Sequence, residues 1–145
     1  MPDAQTLAAI PSWEWHSLGI GPERYRTLQA CTRVSQQLER LGAGDPAAFY
    51  RGLTSIPGIG VWTAAEVGGR ALGDADAVPF GDYHLQAVAG MGLRGQAFSS
   101  DDDVADALAP FAPHRFRVLR LIALSPAAPI ERHGPRMPRT DYRNI

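Results

Sequence analysis

Lysine is missing from this sequence. All fourteen basic residues are arginine, which excludes any chemistry that needs a lysine side-chain Schiff base. There is one cysteine, Cys31, so no internal disulfide can form and a reducing compartment is the expectation. No apolar run is long enough to span a bilayer, and the N-terminus shows no basic stretch followed by an apolar core. His16, His84, His114 and His133 fall at no metal-ligand spacing, so no protein-ligated metal is expected. No period-two run marks a strand, and no segment repeats.

What is present suits a small folded domain. The chain has 145 residues, 45% of them hydrophobic and 20% charged, enough apolar material for one core. The net charge of −1 hides a split. Residues 1–110 hold seven arginines against thirteen carboxylates, and residues 111–145 hold seven arginines against two. A basic end on a near-neutral chain points to a local anionic partner, although solvated helix surface explains the same arginines.

Helical signals run along the chain between Gly and Pro turns. Pro11-Ser12-Trp13-Glu14-Trp15 opens a short helix ending near Gly19 or Gly21. Pro22 suits a first helical position, and Tyr25, Leu28, Cys31, Val34, Leu38 and Leu41 predict one amphipathic helix stopped by Gly42 and Gly44. Asp45-Pro46 reads as N-cap and first position of a helix through Phe49, Tyr50 and Leu53. An Ala-rich helix is expected over 63–72, ended by Gly73, and a loop over 74–81, with Asp74 and Asp76 solvated. Further helices are expected over 83–91, 102–111 and 114–125; the Asp101-Asp102-Asp103 run suits a helix N-terminus. Residues 126–145, with four prolines and four arginines, read as an irregular tail. Trp13 and Trp15 read as core or as cover for an exposed face.

The informative segment is Leu53-Thr54-Ser55-Ile56-Pro57-Gly58-Ile59-Gly60-Val61-Trp62-Thr63-Ala64-Ala65. Pro57 and Gly58 end one helix, Gly60 is expected to let the chain turn tightly, and the next helix starts at once. Amide groups of Gly58, Gly60, Val61 and Thr63 then face one way, an arrangement suited to a nucleic-acid phosphate, while Ile56 and Ile59 anchor the turn. A dinucleotide loop fails here, because position 63 is Thr and a helix, not a strand, precedes the glycines. A purely structural helix–helix turn is the other explanation.

This run, Ile56 to Ala64, resembles the helix-hairpin-helix of the HhH-GPD DNA glycosylase superfamily and is most similar to its 3-methyladenine DNA glycosylase II branch. The resemblance extends from about Trp13 to Gly134-Pro135-Arg136-Met137 and matches the C-terminal half of a typical member. It implies an all-α orthogonal bundle forming a single domain, truncated at its N-terminus relative to the family. It also implies apolar surface that a second copy or the missing half would cover. Members carry a catalytic aspartate in a short loop after the hairpin. Asp82, in Val78-Pro79-Phe80-Gly81-Asp82-Tyr83-His84-Leu85, lies 22 residues beyond Gly60 and matches it. The resemblance gives Trp62 the role of stacking on a flipped, cationic base, and places Tyr83 and Glu66 at the pocket. Arg115 matches a DNA-contacting arginine, and Pro57, Gly58, Ile59, Gly60, Val61 and Thr63 form the DNA-binding turn. Glu66 and Ala123 depart from positions where some relatives carry aromatics, so the preferred lesion is not implied. Lyase-competent members have lysine where this chain has Trp62, which implies a monofunctional enzyme. The secondary amine of Pro2, freed if Met1 is removed, is the remaining route to a lyase.

The chemistry stands apart from the name. A base inside a duplex must be flipped out before its bond to the sugar can be reached. Cleaving that bond gives a sugar with oxocarbenium character, which a nearby carboxylate stabilises. An alkylated purine is already cationic and leaves without a general acid, so one carboxylate suffices. Capping of a helix starting at Tyr83 is the structural explanation of Asp82; a core position is that of Trp62; snorkelling is that of Arg117 and Arg120. The expected activity is removal of alkylated purines from damaged double-stranded DNA in base excision repair, in the cytoplasm with chromosomal DNA. No cofactor is expected beyond a monovalent cation that the hairpin could share with a phosphate. The alternative is a non-catalytic DNA-binding module, or a glycosylase remnant that needs a partner.

Overall fold

A computed structural model of the chain describes residues 2–125. The tail expected over 126–145, with Arg132, Arg136, Arg139 and Arg143, lies outside the described residues. Among those described the fold is all-α, with no strand. They divide after Phe80 into two compact units.

The first unit begins with α1 (Ala4–Ala9), α2 (Ser12–Ser17), α3 (Pro22–Arg33) and α4 (Ser35–Gly42). The first of these was not legible: its signal is Asp3, whose carboxylate accepts the Thr6 N–H as an N-cap. The single helix expected from Pro22 to Leu41 is broken at Val34. The Val34 N–H bonds back toward Cys31 O and Thr32 O, and the chain starts a new helix at Ser35. The break leaves the apolar stripe intact. Cys31, Val34, Leu38 and Leu41 all pack against the buried residues Phe49, Leu53, Ile56, Ile59 and Ala64. Trp15 is buried, with its indole N–H donating to Ile10 O at 3.2 Å and its ring 6.2 Å from that of Tyr25. Trp13, in contrast, stands 71% exposed and takes no part in the core.

Then come α5 (Pro46–Thr54) and α6 (Val61–Val67). Asp45 caps α5 as expected, accepting from Ala47 N–H and Ala48 N–H at 3.1 Å each. Past Val67 the chain continues as a π-helical turn, Gly68–Leu72, closed by Gly73 in the left-handed conformation. Gly68 sits where any side chain would overlap the Tyr50 ring, so the turn lies directly on α5. The Tyr50 hydroxyl donates to Asp74 Oδ2, and Asp74 Oδ1 accepts the Asp76 N–H at 2.9 Å. Asp74 is therefore a half-buried structural acceptor, not the solvated loop residue its context suggests.

The second unit holds α7 (Leu85–Arg94), α8 (Asp101–Leu108) and α9 (Arg115–Leu124), with one 3-10 turn, Ala109–Phe111. Helix α8 has a complete capping box: Ser100 accepts from the Asp103 N–H, and Asp103 accepts from Ser100 N–H. Both α8 and α9 contact α7. Gly92 lets α9 approach, since a methyl there would overlap Ile122. Leu85, Ala89, Phe98, Val104, Leu108 and Leu119 are buried.

Candidate nucleic-acid interface and carboxylate loop

Two places carry the residues singled out above, one in each unit. In the first, α5 and α6 are joined by the turn 55–60. Ile56 and Ile59 are buried and hold the turn to the core. The residue that bends the chain is Gly58, at φ +89°, a value that L side chains rarely adopt. Gly60 is in extended backbone, φ −94° and ψ −179°, open to any residue. The tight turn expected at Gly60 is thus made two residues earlier.

Gly58 is also required by packing. A Cβ there would overlap Thr27 Oγ1. That hydroxyl stands 3.1 Å from both Glu23 O and Pro57 O, so it ties α3 to the turn. Thr27 carries no motif signal, and only the fold reveals it. At Gly60, by contrast, a Cβ would meet nothing within 4 Å. Neither conformation nor packing demands glycine there, and the space outside it is open.

Helix α6 starts at Val61 with no side-chain cap. Its first turn leaves amide groups that no helical carbonyl can accept. Val61 and Trp62 are exposed, at 63% and 45%, and Thr63 is half-buried. Trp62 is therefore surface, not core. One turn on, Glu66 is paired with Arg70: Arg70 Nε donates to Glu66 Oε2 at 2.8 Å. Glu66 is thus a partly neutralised carboxylate on the helix flank.

The second place is the loop before α7. Asp82 is half-buried. Its Oδ1 accepts the His84 N–H at 2.7 Å, and its carbonyl accepts the Leu85 N–H at 3.2 Å. This is an Asx turn, in which the side chain takes the place of a backbone carbonyl. The helix starts at Leu85 with His84 as its N-cap, so Asp82 is not the cap of a helix beginning at Tyr83. Tyr83 is 73% exposed, and its ring meets the His84 ring edge-on at 4.9 Å between centroids. Arg115 opens α9 half-buried, while Arg117 and Arg120 are exposed. Among the described residues, no group of three His, Cys, Asp or Glu side chains stands close enough to hold a metal ion. No described helix is long and apolar enough to cross a membrane.

A fixed carboxylate can stabilise a developing cation or orient water, and an uncapped helix start beside an open glycine can accept an anion. The chain is 35% identical over 98 residues to the protein named probable bifunctional transcriptional activator/DNA repair enzyme AlkA of Mycobacterium tuberculosis strain CDC 1551 / Oshkosh. It is equally similar to the protein of that name in strain ATCC 25618 / H37Rv. The match covers 66% of this chain and 19% of each relative, so the chain spans about a fifth of their length. No family model matches, and no solved structure matches. The sequence similarity bears out the resemblance to 3-methyladenine DNA glycosylase II-like proteins, over part of the chain.

Proposed function

We propose that this relative of the AlkA proteins acts on DNA as a monofunctional glycosylase for alkylated purines. The observation that carries the reading is the sequence similarity to a DNA repair enzyme, 35% over 98 residues. The geometry adds support. The backbone amides at 58–63 would hold a phosphate of damaged duplex DNA, and a monovalent cation on the turn carbonyls could share it. Trp62, exposed at the start of α6, offers an indole face to a cationic base. Glu66 in the first unit and Tyr83 in the second are each proposed as contacts to the base, and Arg115 as a contact to the DNA backbone.

In the proposed step the C1′–N bond of the flipped nucleotide breaks. Its electron pair goes to the base and cancels the base's positive charge. The sugar is left as an oxocarbenium ion, which the Asp82 carboxylate stabilises. Water adds its oxygen to C1′, and its proton passes to Asp82 or to solvent. The Asx turn supports this assignment, because it fixes the carboxylate's orientation before substrate arrives. With no lysine in the sequence, an abasic sugar has no side-chain amine to condense with.

The test is release of methylated bases from alkylated duplex DNA under single-turnover conditions. Asp82→Asn should lower the rate by about 100- to 1,000-fold, the scale for losing one charge-stabilising group, with duplex affinity retained. Equal rates for Asp82→Asn and the parent would remove Asp82 from the chemistry. No release from either protein, with salt-sensitive duplex binding intact, would leave a DNA-binding module without catalysis.

A further inference from the structure

The carboxylate loop is held from outside by a residue that no motif marks. We propose that Asp101 is a positioning residue that clasps the loop carrying Asp82. The proposal rests on reading Asp82 as the catalytic carboxylate. Asp101 Oδ2 accepts the Gly81 N–H at 2.7 Å, and Asp101 Oδ1 accepts Gln86 Nε2 at 3.2 Å. One side chain thus grips the residue before Asp82 and a residue four beyond it.

Asp101 is the first residue of α8, and a carboxylate there would ordinarily be assigned to the helix terminus. Here that work is done by neighbours. Ser100 accepts the Asp103 N–H at 3.1 Å, and Asp103 Oδ2 accepts from Ser99 N–H and Ser100 N–H. The Asp101 carboxylate turns away from this cap: one oxygen meets the Asp82 loop at Gly81 and the other meets Gln86 in the first turn of α7. Gln86 is held a second time, its carbonyl accepting the Phe98 N–H at 3.1 Å. Within the loop, Asp82 Oδ1 takes the His84 N–H and Asp82 O takes the Leu85 N–H. The loop is thus tied at Gly81, His84 and Leu85, and Asp101 supplies the tie at Gly81 from another helix.

A clasp and a helix-terminal charge give opposite results in one variant. Asp101→Asn removes the charge but keeps the contacts. Its carbonyl can accept the Gly81 N–H, and its amide can donate to Gln86 Oε1 once the Gln86 amide turns over. Asp101→Ala removes both. Single-turnover base release and duplex affinity would be measured for the parent, both Asp101 variants and Gln86→Met, with the His84 amide resonance recorded by NMR. A misplaced catalytic group costs on the order of 100-fold per ångström. The expected result is a fall of roughly 10- to 100-fold for Asp101→Ala, unchanged duplex affinity, a shifted His84 amide and recovery in Asp101→Asn.

An unchanged rate in Asp101→Ala overturns the clasp, as does an Asp101→Asn rate as low as that of Asp101→Ala. Should Asp101→Ala fail to fold, Gln86→Met carries the test: a smaller fall in rate supports the clasp and no fall overturns it. If the parent releases no base, the catalytic reading fails instead. The His84 amide then decides the clasp by itself, shifted in Asp101→Ala if it holds and unmoved if it does not.

Discussion

Gly58 and Gly60 lie two residues apart in one turn, and the structure gives them opposite tolerances. Alanine at Gly58 must hold φ near +89°, a left-handed value that costs an L residue roughly 1–2 kcal/mol. Its methyl also overlaps Thr27 Oγ1, so Thr27 must rotate and give up its bond to Pro57 O, a further loss of about 1 kcal/mol. The sum is about 2–3 kcal/mol, or roughly 10 °C in Tm for a chain of this size. Alanine at Gly60 has an ordinary φ of −94° and meets no neighbour. The entropic gain in the unfolded chain and the loss of a good N-cap residue nearly cancel, which leaves a net change within about 1 kcal/mol. Thermal melts of both variants, and of Gly58→Ala in a Thr27→Ala background, test the argument. In that background the overlap is relieved and Gly58→Ala should cost only the backbone part, about 1–2 kcal/mol. Duplex affinity should follow the reverse order among folded proteins. Gly60→Ala places a methyl in the space where a phosphate would approach the amides, and should weaken binding by about tenfold, the size of one charge-assisted hydrogen bond. A Gly60→Ala melt lowered as far as that of Gly58→Ala would refute the reasoning.

Two further outcomes follow from the first unit. The Tyr50 hydroxyl is held above the ordinary tyrosine range by burial first, and then by its bond to the Asp74 carboxylate. Tyr50→Phe should cost about 1–2 kcal/mol in urea denaturation, because Asp74 keeps only the Asp76 N–H. A raised value means that the folded state keeps the proton longer. Its stabilisation is complete below the unfolded tyrosine value of about 10 and is lost as pH climbs toward the folded value. The fall in urea midpoint above that pH should be shallower in Tyr50→Phe than in the parent, and an identical fall would remove the proton from the account. Glu66→Gln breaks the i,i+4 pair with Arg70, whose side chain is 61% exposed, so stability should change by less than about 0.5 kcal/mol. A larger change in the melt would mean that Glu66 holds more than this flank.

Much of the helical layout is legible because its punctuation is local. Pro22 at a first helical position, Asp45 before Pro46, Gly73 in the left-handed conformation and the acidic start of α8 each report backbone geometry within a few residues. The break at Val34 is not legible, since the apolar stripe from Cys31 to Leu41 keeps its spacing across it and all four residues reach one core. Position along the turn is also ambiguous: Gly58-x-Gly60 gives no sign of which glycine has the positive φ. That depends on where Thr27, thirty-one residues earlier, comes to lie. Asp74 fails for a related reason, since a carboxylate in a loop looks solvated in sequence and its partner Tyr50 is set by packing. Asp101 is correctly read at a helix start, but its partners, Gly81 and Gln86, are set by packing and carry no local signal.

The same contacts change the meaning of the charge distribution. Counted by sequence, the second unit carries both signs, and its acids would repel a polyanion. In the structure Asp82 and Asp103 accept backbone N–H groups from their own loop and helix start, and Asp101 accepts the Gly81 N–H from the loop before α7, so each of the three meets a backbone dipole. Arg117 and Arg120 instead stand exposed along α9. Asp102, Asp103 and Asp106 are exposed as well, so the described part of this unit presents both signs to solvent. Any phosphate contact made by Arg117 or Arg120 would weaken with salt, by a slope of about 0.9 for each phosphate neutralised. Asp82 and Asp101 are the half-buried carboxylates among the described residues of this unit, and the proposed role of Asp82 in stabilising a short-lived cation rests on its being held in place by the His84 N–H.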